Sequence, residues 1–144
     1  MPGRPARGFP NHVDLTVTDL ERSAAFYDSL LTHLGFERSA EYAGGVPNWT
    51  RADGEATFSI GLHAARRKVP HDRYAPGLHH LAFHAGSRGE VDAIHVLVRS
   101  TGATVLDPPA TYDYTPGYYA VFFADPDGLK LEVVFEPRLA QNPA

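Results

Sequence analysis

The sequence contains no cysteine, and this absence removes several kinds of chemistry at once. Disulfide bonds, a thiolate nucleophile and a zinc site with cysteine ligands are all excluded. The chain has one methionine and one tryptophan but eight histidines. Imidazole is therefore the donor from which a transition-metal site would be built.

An excess of basic residues and a long apolar segment are also lacking. Lys and Arg number 13 against 17 Asp and Glu, and the net charge of −4 gives no electrostatic support for a nucleic-acid partner. No apolar run is long enough to cross a bilayer. Residues 1–10 lack the apolar core of a signal peptide and are interpreted as a flexible lead-in. We expect one compact cytoplasmic domain overall, with neither a nucleic-acid nor a membrane partner.

Two segments, 11–36 and 79–103, follow one pattern and indicate a duplicated module. Each begins with an alternating stretch that predicts a strand with one face in the core. Each continues with a capping box and then a stripe of apolar residues at helical spacing, which closes at a glycine. The paired landmarks, separated by 67 to 69 positions, are His12 and His80, Thr18 and Ser87, and Gly35 and Gly102. The predicted stripes are Leu20, Ala24, Tyr27, Leu31 and Leu34 in the first helix and Val91, Ile94 and Val98 in the second.

The residues after each helix have the pattern of strands separated by turns. The predicted strands are 37–43, 47–52 and 56–63 in the first half, and 104–108, 118–124 and 129–135 in the second. The predicted turns are AGG, Asp53-Gly54, DPP and DPDG. Each half is thus a β-α-β-β-β module of an α+β protein. The predicted organisation is a lead-in at 1–10, a first module at 11–63, a linker at 64–77, a second module at 78–136 and a frayed tail at 137–144.

Strand parity places the candidate metal ligands on the strand faces that point away from the helices. In GLKLEVVF, Leu131 and Val133 share one face, so Glu132 lies on the other. A carboxylate in so apolar a strand needs a partner, because an unpaired buried charge costs several kcal/mol. His12 and His80 occupy equivalent places in the two repeats and also point away from the helix-covered side. Two histidines and one carboxylate form the triad that suits a divalent metal ion with open coordination positions.

The segments NHVDLTVTDLERSAAFYDSLLTHLGF, GLHHLAFHA and ADPDGLKLEVV resemble the vicinal oxygen chelate superfamily. This superfamily includes glyoxalase I, extradiol dioxygenases, fosfomycin-resistance thiol transferases, methylmalonyl-CoA epimerases and bleomycin-binding proteins, and the resemblance covers about residues 11–135. It implies two tandem modules that form a cup-shaped mixed sheet around one divalent metal ion (Fe, Mn, Ni, Co or Zn), and a homodimer. It maps the metal ligands onto His12, His80 and Glu132. Of the two adjacent histidines, the resemblance selects His80, because the family pattern has its histidine ligand immediately before LAF. The neighbouring His79 is expected to face the other way, as a core or interface histidine.

The sequence departs from individual members of the superfamily at several positions. The strand that supplies a fourth ligand in glyoxalase I carries Ser59 and Gly61 here, and neither is a good ligand; His63 would need a shifted register. Phe122 replaces the tyrosine of extradiol dioxygenases, and the upstream TYDYTPG has no histidine. Asp14 replaces the threonine of the thiol transferases. These differences count against each of those three identifications.

The candidate catalytic residues are Glu132, Asp14 and His84. Asp14 and His84 lie on the same strand faces as the predicted ligands, where each could act as a base or orient a ligand imidazole. Aromatic residues that could form either substrate walls or core are Trp49, Tyr112, Tyr114 and Tyr118.

The sequence therefore favours a divalent-metal enzyme that acts on a small substrate chelated through two neighbouring oxygens, by isomerase, epimerase, lyase or thiol-transferase chemistry. Two alternatives stay open. One is a non-catalytic small-molecule or drug-binding resistance protein. The other is an Fe(II)-dependent ring-cleaving dioxygenase with altered proton donors.

Overall fold

The computed structural model describes residues 7–39 and 45–140 of the chain. The first of two compact units ends at Val69, and the second begins at Pro70. This division lies within the segment 64–77, which the sequence predicts as a linker. Each unit contains one four-stranded sheet and one long helix.

The first unit contains β1 (His12–Val17), α1 (Leu20–His33), β2 (Glu37–Arg38), β3 (Asn48–Asp53) and β4 (Ala56–Ala64). Its strands lie in the order β1-β4-β3-β2. β1 pairs with β4 in parallel, and the other pairs are antiparallel. The core is formed by one face of β1 and β4 and by the buried stripe of α1, including Leu15, Ile60 and Leu31.

The second unit contains β5 (His80–His84), α2 (Arg88–Ser100), β6 (Val105–Tyr112), β7 (Tyr118–Ala124) and β8 (Lys130–Phe135). The strand order β5-β8-β7-β6 repeats that of the first unit, again with a parallel first pair. Val91, Ile94 and Val98 of α2 are buried, as their spacing predicts. The two units thus have the same β-α-β-β-β order, which confirms the predicted α+β class with two tandem modules.

The helix boundaries follow local capping chemistry and correct one prediction. Ser87 caps α2 and accepts a hydrogen bond from the Glu90 N–H, as the capping box predicts. In α1, however, the cap is Asp19 and not Thr18: the Asp19 carboxylate accepts from the N–H of Arg22. A carboxylate at this position satisfies a free N–H and also interacts favourably with the helix dipole, so it displaces the neighbouring hydroxyl from that role.

Three predictions about the chain between and after the helices are wrong or only partly testable. The DPP segment is not a turn but part of β6, where the pairing with β7 shifts register. β6 is an edge strand, so Pro108 and Pro109, which have no N–H, are tolerated there. Pro137–Ala140 forms a short helix, α3, where a frayed tail was predicted. The strand predicted at 37–43 is observed as β2, and residues 40–43 and most of the AGG turn lie outside the described residues.

Among the residues that the structure describes, no helix combines the length and the apolar character needed to cross a bilayer.

Candidate functional site

Glu132 is a buried carboxylate in the middle of the second unit's sheet. It lies on β8 between Ala82 of β5 and Phe122 of β7 in the strand register. Only 3% of its surface is exposed. Its neighbours Leu131 and Val133 are fully buried on the opposite face of the sheet. Strand parity therefore holds for β8, and a carboxylate buried there requires partners.

Both oxygens of the Glu132 carboxylate have a partner. Oε1 lies 3.2 Å from Nε2 of His80. Oε2 accepts a short hydrogen bond from the hydroxyl of Tyr118. Burial of the phenol, together with this bond and the negative charge of the carboxylate, raises the pKa of Tyr118 above its ordinary value. Tyr118 therefore stays protonated and donates to the carboxylate.

The sequence predicts that His79 faces away from His80, and this prediction is wrong. His79 is exposed and lies against His80. The two Nδ1 atoms lie 2.7 Å apart, and the rings meet edge to face with centroids separated by 4.9 Å. The alternation of a strand does not extend to His79, because β5 begins only at His80. The ring of His79 also contacts Tyr74, with centroids 6.0 Å apart.

A second cluster of titratable side chains lies on β1 and β4 of the first unit. Oδ2 of Asp14 lies 3.4 Å from Nε2 of His63 and 3.9 Å from Nε2 of His12. Asp14 is directly opposite Gly61 in the parallel pairing. A Cβ atom added at Gly61 would lie 2.6 Å from Oδ1 of Asp14. The carboxylate thus occupies the space that any larger side chain at 61 would need, a packing that strand alternation alone does not predict.

His12 is oriented by its own neighbour in the chain. Nδ1 of His12 lies 2.7 Å from Oδ1 of Asn11, an oxygen that can only accept. A hydrogen bond between these two atoms needs the proton on Nδ1 of His12, and Nε2 then faces Asp14. This is the tautomer in which a histidine can ligate a metal ion through Nε2.

Apolar and aromatic side chains surround Glu132 on its face of the sheet. Ala120, Phe122 and Val134 form a buried cluster, with Tyr112, Tyr118 and Leu106 packed against it. Tyr114 stacks on Tyr112, with centroids 5.5 Å apart and planes within 3° of parallel. The Nζ atom of Lys130 lies 4.6 Å from the centre of the Phe122 ring, where a cation–π contact is favourable.

Trp49 does not belong to this aromatic surface. It is fully buried in the core of the first unit, where its indole N–H donates to the carboxylate of Asp28 over 2.9 Å. Its partner in the β3–β4 pairing is the core residue Ile60. Of its two interpretations, substrate wall or core, the structure selects core.

The structure places the predicted site residues in two groups. His80 and Glu132 lie together in the second unit, and His84 follows on the same face of β5 as an exposed residue. His12 and Asp14 lie together in the first unit. Within the described part of either unit, no three His, Asp or Glu side chains are close enough to share one metal ion. The triad of His12, His80 and Glu132 stays a prediction.

The donor pair in the second unit fits a divalent metal ion. Bonds of about 2.1 Å to both ligands, at angles between 90° and the tetrahedral value, would separate the two donor atoms by roughly 3.0–3.4 Å. Nε2 of His80 and Oε1 of Glu132 are 3.2 Å apart. A nitrogen–oxygen set of this kind suits Fe, Mn, Ni, Co or Zn.

Comparison with known proteins assigns the chain to a family. The model of the Glyoxalase/Bleomycin resistance protein/Dioxygenase superfamily matches residues 10–133. The chain is 34% identical over 131 residues to the uncharacterised protein YqjT of Bacillus subtilis, a match that covers 86% of this chain and 96% of that protein. The chain therefore belongs to this superfamily, which is the vicinal oxygen chelate superfamily identified by resemblance above.

Solved structures have the same fold. A crystal structure from Bacillus halodurans, provisionally described as a glyoxalase, has a TM-score of 0.71 and 31% identity, and the match covers 90% of this chain and 97% of that one. A glyoxalase/bleomycin resistance protein from Albidiferax ferrireducens T118 has a TM-score of 0.67 and 29% identity, with 88% and 98% covered. These likenesses establish the family and the fold, but one fold of this kind serves many chemistries.

Proposed function

We propose that the protein is a divalent-metal enzyme that acts on a small substrate chelated through two neighbouring oxygens. His12, His80 and Glu132 would hold the metal ion. The observation that carries the proposal is the arrangement at Glu132, a carboxylate that is 3% exposed and has an imidazole nitrogen 3.2 Å from one oxygen. Burying such a group is costly, and a metal ligand is a role that would justify keeping it.

The residues around Glu132 hold its carboxylate ready for a cation. Tyr118 donates to Oε2 and so fixes the plane of the carboxylate, while Oε1 faces His80. The buried apolar cluster beside it excludes water from one side and strengthens electrostatic interactions. The metal ion, when bound, would supply Lewis-acid stabilisation of negative charge on a substrate oxygen.

The proton in such a reaction needs a base within hydrogen-bond reach of the substrate. Asp14 is one candidate: its side chain is 39% exposed, and its carboxylate is held near His63. His84 is another, because it is exposed on the same face of β5 as His80. Glu132 is the third, through Oε1, which could accept a proton only while it does not ligate the metal ion. An isomerase, epimerase, lyase or thiol-transferase reaction could use any of these groups.

Metal analysis of variants tests this proposal. Wild type, Glu132→Gln and Asp14→Asn are stripped with chelator, reconstituted with each of the five ions and measured by mass spectrometry, with His95→Gln on α2 as the matched control. We expect about one ion per chain in wild type, the control and Asp14→Asn, and a strong loss in Glu132→Gln. Equal metal content in Glu132→Gln and wild type would contradict the proposed ligand set.

A second candidate function, capture of a small molecule without chemical change, is favoured by the aromatic surface. Tyr114 is 67% exposed and stacks on Tyr112 beside the apolar cluster, so it could receive a planar ligand. The two candidates differ in turnover. Exchange of the carbon-bound proton of hydroxyacetone in D₂O, measured by NMR with reconstituted protein, would support the enzyme. Tight binding of an aromatic drug by metal-free protein, with no exchange, would favour the binding protein.

A further inference from the structure

The two predicted histidine ligands share a feature that the metal proposal does not require. In each repeat, the residue immediately before the histidine contacts its Nδ1 atom at 2.7 Å: Asn11 contacts His12, and His79 contacts His80. Asn11 and His79 are 68 positions apart, as are His12 and His80. In both cases Nε2 of the histidine faces a carboxylate, that of Asp14 or Glu132.

We propose that His79 is a positioning residue whose Nδ1 atom accepts the Nδ1 proton of His80 and so aims Nε2 of His80 at the metal position, as Asn11 does for His12. This inference rests on the proposed function, since it assigns His79 a role toward the ion that His80 would hold. His79 itself would not touch the ion.

The direction of the hydrogen bond follows from the proton count. Two Nδ1 atoms 2.7 Å apart share one proton, so one ring donates and the other accepts. When Nε2 of a neutral histidine ligates a cation, the only proton of the ring is on Nδ1. His80 must then donate, and His79 must carry its own proton on Nε2. Asn11 reaches the same result in the first unit with an amide oxygen, which can only accept.

The surroundings of His79 support a role in orientation. Its ring packs edge to face on His80 and on Tyr74, with centroids 4.9 Å and 6.0 Å away. The guanidinium of Arg73 lies 5.0 Å from the centre of the Tyr74 ring and extends this stack. An exposed imidazole that is held on two sides offers a fixed acceptor, whereas a free surface histidine would not.

The first repeat suggests the rescue variant for the experiment. His79→Phe keeps a flat ring for the stack but removes the acceptor, and His79→Asn restores an acceptor of the kind that Asn11 provides. The binding of Zn²⁺ alone to stripped full-length protein is measured by calorimetry at one fixed pH for wild type, both variants, His80→Ala and the control His95→Phe. We expect a 10- to 100-fold loss of affinity in His79→Phe, of the order found when such supporting partners are removed, and affinity close to wild type in His79→Asn and His95→Phe.

These outcomes separate the failure of the inference from the failure of the proposed function. If His80→Ala binds Zn²⁺ as wild type does, or if wild type binds none, the metal proposal is wrong and the role of His79 is overturned with it. If His80→Ala loses binding but His79→Phe does not, only the inference is overturned. Equal losses in His79→Phe and His79→Asn would also overturn it, because an acceptor would then be irrelevant.

A spectroscopic readout tests the direction of the bond itself. In the Zn²⁺-loaded protein, nitrogen-15 NMR of the imidazoles should show His80 protonated at Nδ1 and His79 protonated at Nε2. A merely structural role for His79 would leave its tautomer unconstrained by the ion. Detection of the proton on Nδ1 of His79 in the loaded protein would refute the proposal.

Discussion

Removal of the Tyr118 hydroxyl should destabilise the protein even without metal, because Glu132 would lose one of its two partners. Tyr118→Phe leaves Oε2 of a carboxylate that is 3% exposed without its donor, and water cannot easily replace it. Hydrogen bonds to charged groups contribute about 1.5–3 kcal/mol, so we expect the free energy of unfolding to fall by about 2 kcal/mol. Urea denaturation of stripped protein, followed by far-ultraviolet circular dichroism, measures this change.

A double-mutant cycle assigns the loss to the Tyr118–Glu132 pair. Glu132→Met removes the buried charge at similar volume, so Tyr118→Phe in that background should cost about 0.5 kcal/mol or less. Tyr112→Phe is the matched control, because Tyr112 packs on the same cluster and its hydroxyl has no hydrogen bond among the described residues. If Tyr118→Phe costs no more than Tyr112→Phe, or costs the same in both backgrounds, the hydrogen bond does not stabilise the carboxylate as argued.

Two further substitutions test local packing and capping by the same unfolding assay. Gly61→Ala places a Cβ atom 2.6 Å from Oδ1 of Asp14 and 3.2 Å from Nδ2 of the buried Asn48, so both side chains must shift. We expect the free energy of unfolding to fall by about 1 kcal/mol, whereas Gly86→Ala meets open space and should change it by about 0.5 kcal/mol or less. Equal effects would contradict this explanation. Asp19→Ala should lower the free energy of unfolding by about 1 kcal/mol, because the helix loses its cap, and Thr18→Ala should lower it clearly less. The reverse order would show that the cap is misassigned.

The fold could be predicted from the sequence because the same local signals occur twice. Alternation in β1 and β5 and the closing glycines depend on short-range chemistry and agree between the repeats, and the cap at Ser87 is likewise set by local chemistry. Gly35 and Gly102 adopt φ values of +91° and +81°, which is the left-handed conformation that glycine favours after a helix. At the first helix the Thr18 capping box predicts the wrong cap, because Asp19, one residue later, has a carboxylate that accepts from the N–H of Arg22.

The candidate site was predictable only as far as strand parity reaches. Parity places Glu132 and His80 on one face, and the structure brings them within 3.2 Å. It says nothing about a long side chain that reaches along the sheet, so the bond from Tyr118 to Glu132 was missed. Parity predicts the wrong orientation for His79, because this residue precedes β5 and need not follow its alternation.

The contact between Asp14 and His63 required knowledge of the β1–β4 register. Thr16 is the direct partner of His63, and Asp14 is the partner of Gly61, so the two titratable groups meet on a diagonal. The absence of a side chain at Gly61 is what gives the Asp14 carboxylate its place. A glycine in a strand often marks such a close approach, and this was the signal available in the sequence.

The most direct test of the proposed metal site is the metal stoichiometry and affinity of wild type, His12→Ala, His80→Ala and Glu132→Ala, measured by calorimetry with Zn²⁺ or Co²⁺. If these three residues are the ligands of a divalent ion, wild type should bind about one ion per chain and each of the three variants should lose a large part of the affinity. Wild-type affinity in any one of the three variants would contradict this ligand set.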